Sequence, residues 1–448
     1  MPAADAAWLH MDRPTNPMVI NSLSLLGGAS DPAATTELIE RRLVERYPRF
    51  RQRVVDPLGR RPAFEDDPNF DVEAHLHRRA LPAPGDRTAL EELIGDLITA
   101  PLDPNRPLWH AYLIEGEETS AVLWRIHHCI ADGISLSQVL FDLTDEGAGE
   151  STGPAAERAG QGGLVRRFGG IPAGALVTGR RLGGAVLHEG MRALADPEHL
   201  RQLASGAVRD AATTAKLVGA GHDAETTLRA PLTGRRRVAW TPPFELAAIR
   251  DASHRHRVTI NDTLVAALAA ALHATLDGEG DMPPDIHAMV PFNLRSLEGP
   301  APAQLGNDFA LILLELPIGE MPPAERLRQV NSRMRAIKRS NEAAIAYGMI
   351  GAIGLAPPWL EDRLIGFFTD KASLVVTNVP GPPRRLSFAG VPIEGVLVWA
   401  PCSGSLGMTV SIFSYAGEVT VGFMADSALT EAPGALAGAY AEELARLC

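Results

Sequence analysis

A chain of 448 residues exceeds what one ordinary hydrophobic core organises, so two domains are expected. With 46% hydrophobic and 21% charged residues, the composition is that of a globular protein able to bury a sizeable core. The net charge of -12 excludes broad nucleic-acid binding, which needs a basic face, and leaves room for a local basic site. Cys129, Cys402 and Cys448 lack zinc-ligand spacing and are too few for a disulfide framework, so a reducing cytoplasm is expected. The opening residues MPAADAAWLHMDRPTNP carry neither the charged head nor the apolar core of a signal peptide. No apolar run approaches the roughly 20 residues that cross a bilayer, so a soluble or peripheral protein is expected.

In chain order, residues 38–47 and 89–98 have helical character. WHAYLIEG (109–116) and AVLWRIHH (121–128) read as two strands joined by the polar turn EETS. The stretch ISLSQVLFDL then places Leu136, Val139, Leu140 and Leu143 at helical spacing. Near residue 150 the character changes: STGPAAERAGQGG is linker-like, and helix-prone segments follow over 163–193 and 197–220. Residues 151–237 hold thirteen Lys/Arg against seven Asp/Glu, so this connector is either a solvated crossover or a basic surface for an anionic membrane. RRRVAWT reads as a strand, and TINDTLVAALAAALHATL as a strong helix capped by Thr259 or Asn261. DIHAMVPFNLR, FALILLELP, ASLVVTNVPGPP, MTVSIFSY and EVTVGFMAD are β-prone. The pattern predicts an α/β (α+β) fold of mixed sheets and helices. Residues 1–148 form one domain, 149–232 a helical connector and 233–448 a second domain, with a ligand site at the cleft between domains.

The stretch RIHHCIADGISL carries adjacent histidines where a strand ends and a helix begins. Strand alternation puts Val122, Trp124, Ile126 and His128 on one face, and Leu123, Arg125 and His127 on the other. The two histidines therefore meet different surroundings. His128 extends an apolar row, where a partly desolvated imidazole stays neutral and can accept a proton. Asp132 and Gly133 signal a turn; Asp132 can accept main-chain N–H bonds or pair with an arginine, and Gly133 allows close packing or substrate passage. Read from residues alone, the pair is structural, metal-binding or catalytic. Metal binding is disfavoured because adjacent strand residues point apart and no third ligand has the spacing. His75 and His77 share a face in EAHLH and read as surface residues. The sequence has no G-x-S-x-G elbow, phosphate-binding loop or dinucleotide fingerprint.

HHCIADG fits the H-H-x-x-x-D-G signature of acyltransferases with the chloramphenicol acetyltransferase-like fold. That signature also fits peptide-synthetase condensation domains and polyketide-associated acyltransferases. The flanking blocks narrow the choice: DRPTNPM (12–18), FDVEAHL (70–76), ALPAPG (80–85), PLDPNRPLW (101–109), GRRRVA (234–239), IND (260–262), MVPFNLR (289–295), LGND (305–308), TNVPGPP (377–383) and SYAGEVTVGF (414–423). In this order, they resemble the bacterial wax ester synthase/diacylglycerol acyltransferase family over nearly the whole chain outside the connector. Two mild departures are VPFNLR in place of a VPVSLR-like form and Thr377 where serine is common.

The resemblance implies two chloramphenicol acetyltransferase-like domains and an O-acyltransferase that esterifies a long-chain alcohol or diacylglycerol to wax ester or triacylglycerol. Acyl-CoA is the implied co-substrate, with no permanently bound cofactor and no metal. The alternatives are an acyltransferase with a carrier-bound donor and a non-catalytic lipid-binding relative. By resemblance His128 is the general base, and His127 and Asp132 hold it in place. Arg295 is the candidate partner of Asp132. Asn261 is nominated as an oxyanion donor against its alternative role as a helix cap, and Asn378 is expected to fix a turn. Cys129 and Trp109 are assigned to packing. Val122, Trp124 and Ile126 line an acyl tunnel or are simply core. Arg235, Arg236 and Arg237, with Arg384 and Arg385, are candidates for a basic lip that meets CoA phosphates. The expected location is cytoplasmic, peripheral to the inner membrane or to lipid inclusions, with the basic connector as the contact.

Overall fold

The computed structural model describes residues 1–56, 61–117, 119–146, 222–276, 282–293, 305–307, 309–340, 346, 350 and 358–448. The helices expected at 163–193 and 197–220, and Arg295, lie outside the described residues. The first half runs α1 (Ala3–His10), β1 (Val19–Leu26), α2 (Pro32–Ile39), β2 (Gln52–Val55), β3 (Ala63–Asp66), β4 (Leu76–Ala80), α3 (Arg87–Thr99), β5 (Trp109–Glu115), β6 (Ser120–His127) and α4 (Gly133–Asp142). The second runs β7 (Arg236–Trp240), β8 (Phe244–Glu245), α5 (Leu246–Arg255), α6 (Ile260–Leu276), β9 (Asp285–Asn293), β10 (Phe309–Pro317), α7 (Pro323–Arg339) and α8 (Pro358–Thr369). It ends with β11 (Leu374–Pro380), β12 (Ser387–Phe388), β13 (Val391–Trp399), β14 (Met408–Tyr415), β15 (Glu418–Asp426) and α9 (Gly434–Leu447).

Two large mixed sheets result. The first has the order β12-β13-β1-β6-β5-β4, and the second β10-β9-β11-β14-β15-β7, with β8 pairing on β15. Alternation along β6 works as its sequence predicts. Val122, Trp124 and Ile126 enter a core with α4 and Trp109, whereas Ala121 and Leu123 enter another with α3. The row Val122–Ile126 is therefore core. In the second sheet, Ile312, Leu314, Val410, Ile412 and Val421 face α6, α7 and α9. Every residue of α6 from Asn261 to Leu272 is buried, as expected of a helix apolar on all sides that lies inside a layered core. Thr259 caps it in a reciprocal box: its hydroxyl receives the Asp262 N–H at 3.2 Å, and its own N–H reaches Asp262 Oδ2 at 2.9 Å.

The two sheets are not independent along the chain. β13, from the second half, pairs antiparallel with β1, register Leu23↔Leu397, and so completes the first sheet. Its last residue, Trp399, is fully buried and stands over Gly422 of β15 in the second sheet. A second pin is Arg236 at the start of β7. Its guanidinium lies 3.6 Å from Asp426 Oδ2 and donates to Thr15 O (2.9 Å) and Asn16 Oδ1 (2.7 Å), while Asn16 reaches Leu406 O at 2.8 Å. Such a buried cation is stable only because carboxylate and carbonyl oxygens replace its water.

Among the described residues no single helix is long and apolar enough to cross a membrane; α5 and α6 reach that length and apolarity only together, across a 93° bend.

A Cβ on Gly422 would sit 2.7 Å from Trp399 Nε1, and neither element can retreat. Gly422→Ala is expected to destabilise by about 1–3 kcal/mol, the usual cost of overpacking. The check is a lowered urea midpoint at unchanged slope.

Candidate active site

The histidine pair sits where β6 runs out at the seam between the sheets. The main-chain N–H of His128 still bonds to Met18 O at 2.7 Å, so the residue is held as an extension of the strand. Ile130 N–H then closes onto His127 O at 3.0 Å, and Asp132 caps α4 by accepting the Ser135 N–H at 2.8 Å. The Asp132 N–H meets Gly306 O, from the segment before β10, at 3.1 Å. A Cβ built on Gly133 meets nothing, so open space adjoins the first turn of α4.

His128 is buried. Trp8 of α1 stacks on its ring at 4.5 Å between centroids, and Phe309 of β10 lies at 5.4 Å. Burial pulls the imidazole pKa from 6.5 down to about 4; attraction to Asp132, the ring's own main chain and Asn307 opposes that pull without cancelling it. The ring is therefore an uncharged base at neutral pH, and Asp132 favours the imidazolium once a proton arrives.

His127 lies on the opposite face, also buried. Burial lowers its pKa, but Cys129 and the Asp12 carboxylate outweigh this and push it up to about 10. The geometry opposes that push. Cys129 N–H points at His127 Nδ1 at 3.1 Å, and a ring nitrogen accepts only when unprotonated. We read the ring as the neutral tautomer with its proton on Nε2, 3.6 Å from Asp12 Oδ1, because the turn fixes the main-chain donor. His127 ties the strand end to the 12–18 segment, since Asp12 also accepts the Met18 N–H at 2.6 Å.

The other residues singled out in the sequence are placed as follows. Asn261 is buried but is not the cap of α6, a role filled by Thr259. Its Oδ1 accepts from Asn378 Nδ2 at 3.0 Å, and its own Nδ2 is a buried donor without a partner. The side chain of Asn378 thus holds Asn261 rather than a turn. Arg236 is removed from the basic lip by burial, by its ion pair with Asp426 and by its hydrogen bonds to Asn16 and Thr15. Arg237 is half-buried and paired with Glu431, while Arg235, Arg384 and Arg385 are exposed. Cys129 and Trp109 are fully buried packing residues, and Trp109 Nε1 donates to Phe50 O at 2.7 Å. His75 is not a surface residue, and His77 is only half-buried. His75 is buried with Nδ1 on Trp109 O at 2.8 Å, and His77 Nε2 pairs with His110 Nδ1 at 2.9 Å. Sequence reading missed this because β4 lies parallel beside β5, a long-range pairing. No group of three His, Cys, Asp or Glu side chains is arranged for a metal among the described residues.

Asp5, Trp8, Arg49, Asn307 and Phe309 are placed around the site and had no assigned role in the sequence reading. Asn307 Nδ2 donates both to His128 O and to Asp5 Oδ1, each at 2.9 Å. Asp5 is fully buried and lies 2.9 Å from Arg49, which in turn donates to Ile130 O at 2.6 Å. The available signals were the LGND block and the three-residue spacing of Asp5 and Trp8 on one helix face.

A neutral base carried on an H-H-x-x-x-D-G loop between two mixed sheets defines the two-domain acyltransferase class with the chloramphenicol acetyltransferase-like fold. The comparisons then separate its families. The wax ester synthase/diacylglycerol acyltransferase catalytic domain matches residues 1–264, and the C-terminal domain of that family matches 305–447. A probable diacylglycerol O-acyltransferase (tgs1) of Mycobacterium tuberculosis H37Rv is 30% identical, over 96% of this chain and 91% of its own. The wax ester synthase/diacylglycerol acyltransferase of Marinobacter aquaeolei VT8 superposes with a TM-score of 0.67 at 21% identity, covering 99% of this chain and 97% of that one. The first condensation domain of the CDA synthetase shares the fold at a TM-score of 0.59 and 17% identity, covering 99% and 95%. The chain belongs to the wax ester synthase/diacylglycerol acyltransferase family.

Acid should unfold this protein through its histidines. His128 and His110, both lowered by burial from 6.5 to about 4, bind protons more readily unfolded than folded. The stability they contribute is complete above pH 6.5 and is lost as the pH falls toward 4. Denaturant midpoints measured from pH 8 to pH 4 should decline across that window, and His110→Gln should flatten the decline.

Proposed function

We propose that the protein is an acyl-CoA-dependent O-acyltransferase that esterifies a long-chain alcohol or a diacylglycerol, with His128 as the general base. The observation that carries this reading is the buried, uncharged His128 imidazole at the seam between the sheets. His128 takes the hydroxyl proton of the acceptor as its oxygen attacks the thioester carbonyl. The tetrahedral intermediate collapses, the carbon–sulfur bond breaks, and the imidazolium returns the proton to the CoA thiolate. The acceptor is activated directly, so no acyl-enzyme forms, and Cys129, packed at the seam, takes no part.

The negative oxygen of the intermediate needs donors in a dry pocket. Asn261 Nδ2 is assigned to it: this buried donor is unpartnered and its carboxamide is fixed by Asn378. Asp132 stabilises the imidazolium by its charge and the loop by its cap. CoA phosphates are assigned to the exposed Arg235, Arg384 and Arg385, in place of Arg236. Acceptors of this class are water-insoluble, so delivery from a lipid surface belongs to the proposal. A carrier-bound acyl donor is not favoured: the relatives matched over nearly the whole chain are named diacylglycerol O-acyltransferases, and the condensation domains share the fold alone.

The test supplies purified protein with palmitoyl-CoA and either hexadecanol or dipalmitoylglycerol, following thiol release and ester product. Ester should form with at least one acceptor, and absence of ester from every long-chain acceptor would sink the reading. His128→Ala should abolish turnover in a folded protein, whereas His127→Ala should act mainly on stability. Asn261→Ala should lower kcat by on the order of 100-fold, the cost of one oxyanion donor; an unchanged kcat removes Asn261 from this role.

A further inference from the structure

General-base catalysis by histidine needs one nitrogen protonated and turned away, and the other bare and facing the reactants. In many such sites a carboxylate fixes this choice from behind the ring. Here the side chain bonded to the His128 main chain is a carboxamide, that of Asn307. Asn307 lies one residue beyond Gly306, whose carbonyl takes the Asp132 N–H, so this segment is stitched to the histidine loop at two points. Both Nδ2 protons of Asn307 are engaged, by His128 O and Asp5 Oδ1 at 2.9 Å each, and its main-chain N–H meets the same Asp5 oxygen at 3.1 Å. With both donors committed, the remaining polar atom of the side chain is Oδ1, a buried acceptor without a hydrogen-bond partner. His128 Nδ1 is likewise buried and without a partner. The ring's own main chain and, to a lesser degree, Asn307 favour the protonated form of the His128 ring.

We infer that Asn307 is the positioning residue of the catalytic base. Anchored by Asp5, it holds the His128 main chain and sets the proton on Nδ1, so that Nε2 presents its lone pair to the acceptor hydroxyl. Asp5 acts one step further back. Its carboxylate can accept but not donate, so it holds the Asn307 carboxamide with nitrogen toward Asp5 and oxygen toward the ring. Arg49, 2.9 Å from the second Asp5 oxygen, neutralises that carboxylate and grips the Cys129 and Ile130 carbonyls at 3.3 and 2.6 Å. Trp8, three residues along α1 from Asp5, closes over the ring face, so one short helix supplies both anchor and cover. The catalytic consequence rests on the O-acyltransferase reading; the tautomer of His128 does not.

The test therefore reads both. Protein labelled with 15N-histidine reports the His128 tautomer at pH 7, its signals assigned by their loss in His128→Gln. The unmodified protein should show a single form protonated on Nδ1. Asn307→Ala should mix the two tautomers and lower kcat by on the order of 100-fold, the cost of misplacing a catalytic group by about 1 Å. KM for palmitoyl-CoA should stay within about twofold, because the lost interaction orients the base without binding substrate. Asp5→Ala should reproduce this loss, Asp5→Asn, which keeps an acceptor oxygen, should recover most of it, and Asp5→Ala with Asn307→Ala should be no worse than either alone. The Asp5 pair also perturbs the ring with Asn307 in place, should Asn307→Ala fail to fold. A His128 signal protonated on Nε2 in the unmodified protein, or an unshifted tautomer in Asn307→Ala and Asp5→Ala, overturns the inference. A fixed Nδ1–H tautomer in a protein that makes no ester sinks the acyl-transfer reading instead.

Discussion

The structure depends on keeping one imidazole dry at a joint between two sheets. Water would leave His128 near its ordinary pKa and blur the position of its ring, so the joint has to exclude solvent without leaving main-chain groups unpaired. Both demands are met by elements distant in sequence. Trp8 and Phe309 cover the ring with apolar surface, while Met18 O, Gly306 O and Asn307 Nδ2 satisfy the loop's polar groups. The same closure that lowers the basicity of His128 makes nearby charges effective. Asp132 therefore acts on the ring electrostatically while its side chain caps a helix.

A site built this way is only as rigid as the seam, which explains the interlocking there. β13 leaves the second half of the chain to complete the first sheet, and Trp399 at its end fills the space over Gly422. Arg236, a residue type ordinarily exposed, is buried beside Asp426 and Asn16 because the joint needs a polar pin where strands and loops of both halves converge. Removing one partner would strand a buried charge, so the pin also penalises partial opening of the seam.

Much of the site was legible before any coordinates. The separation of His127 from His128 follows from strand alternation alone, and their surroundings differ accordingly. The five β-prone runs of the second half all form strands, and α6 is as continuous as its composition suggests. The failures lie where residue type alone leaves two placements open. Asn261 can serve as a cap or as a donor in sequence; only the Thr259–Asp262 box, a local competition, shows that the cap is taken. Arg236 reads like its exposed neighbour Arg235, because nothing local says which of consecutive arginines turns inward. His75 looks solvated, and His77 unpaired, until β5 is laid beside β4.

By itself, then, the sequence determined local conformation and chemistry: the strand that presents two histidines to opposite faces, the turn and cap after it, and the ordered blocks that mark the family. Those are short-range matters, set by side-chain periodicity and main-chain hydrogen bonding over a few residues. Tertiary structure alone decided which distant groups meet His128. Asp5, Trp8 and Asn307 lie on α1 and just before β10, and only the packing of one sheet against the other brings them to the same histidine loop, Asp5 through Asn307. Residue type says what a group can donate, accept or exclude; the closure of the seam says to whom.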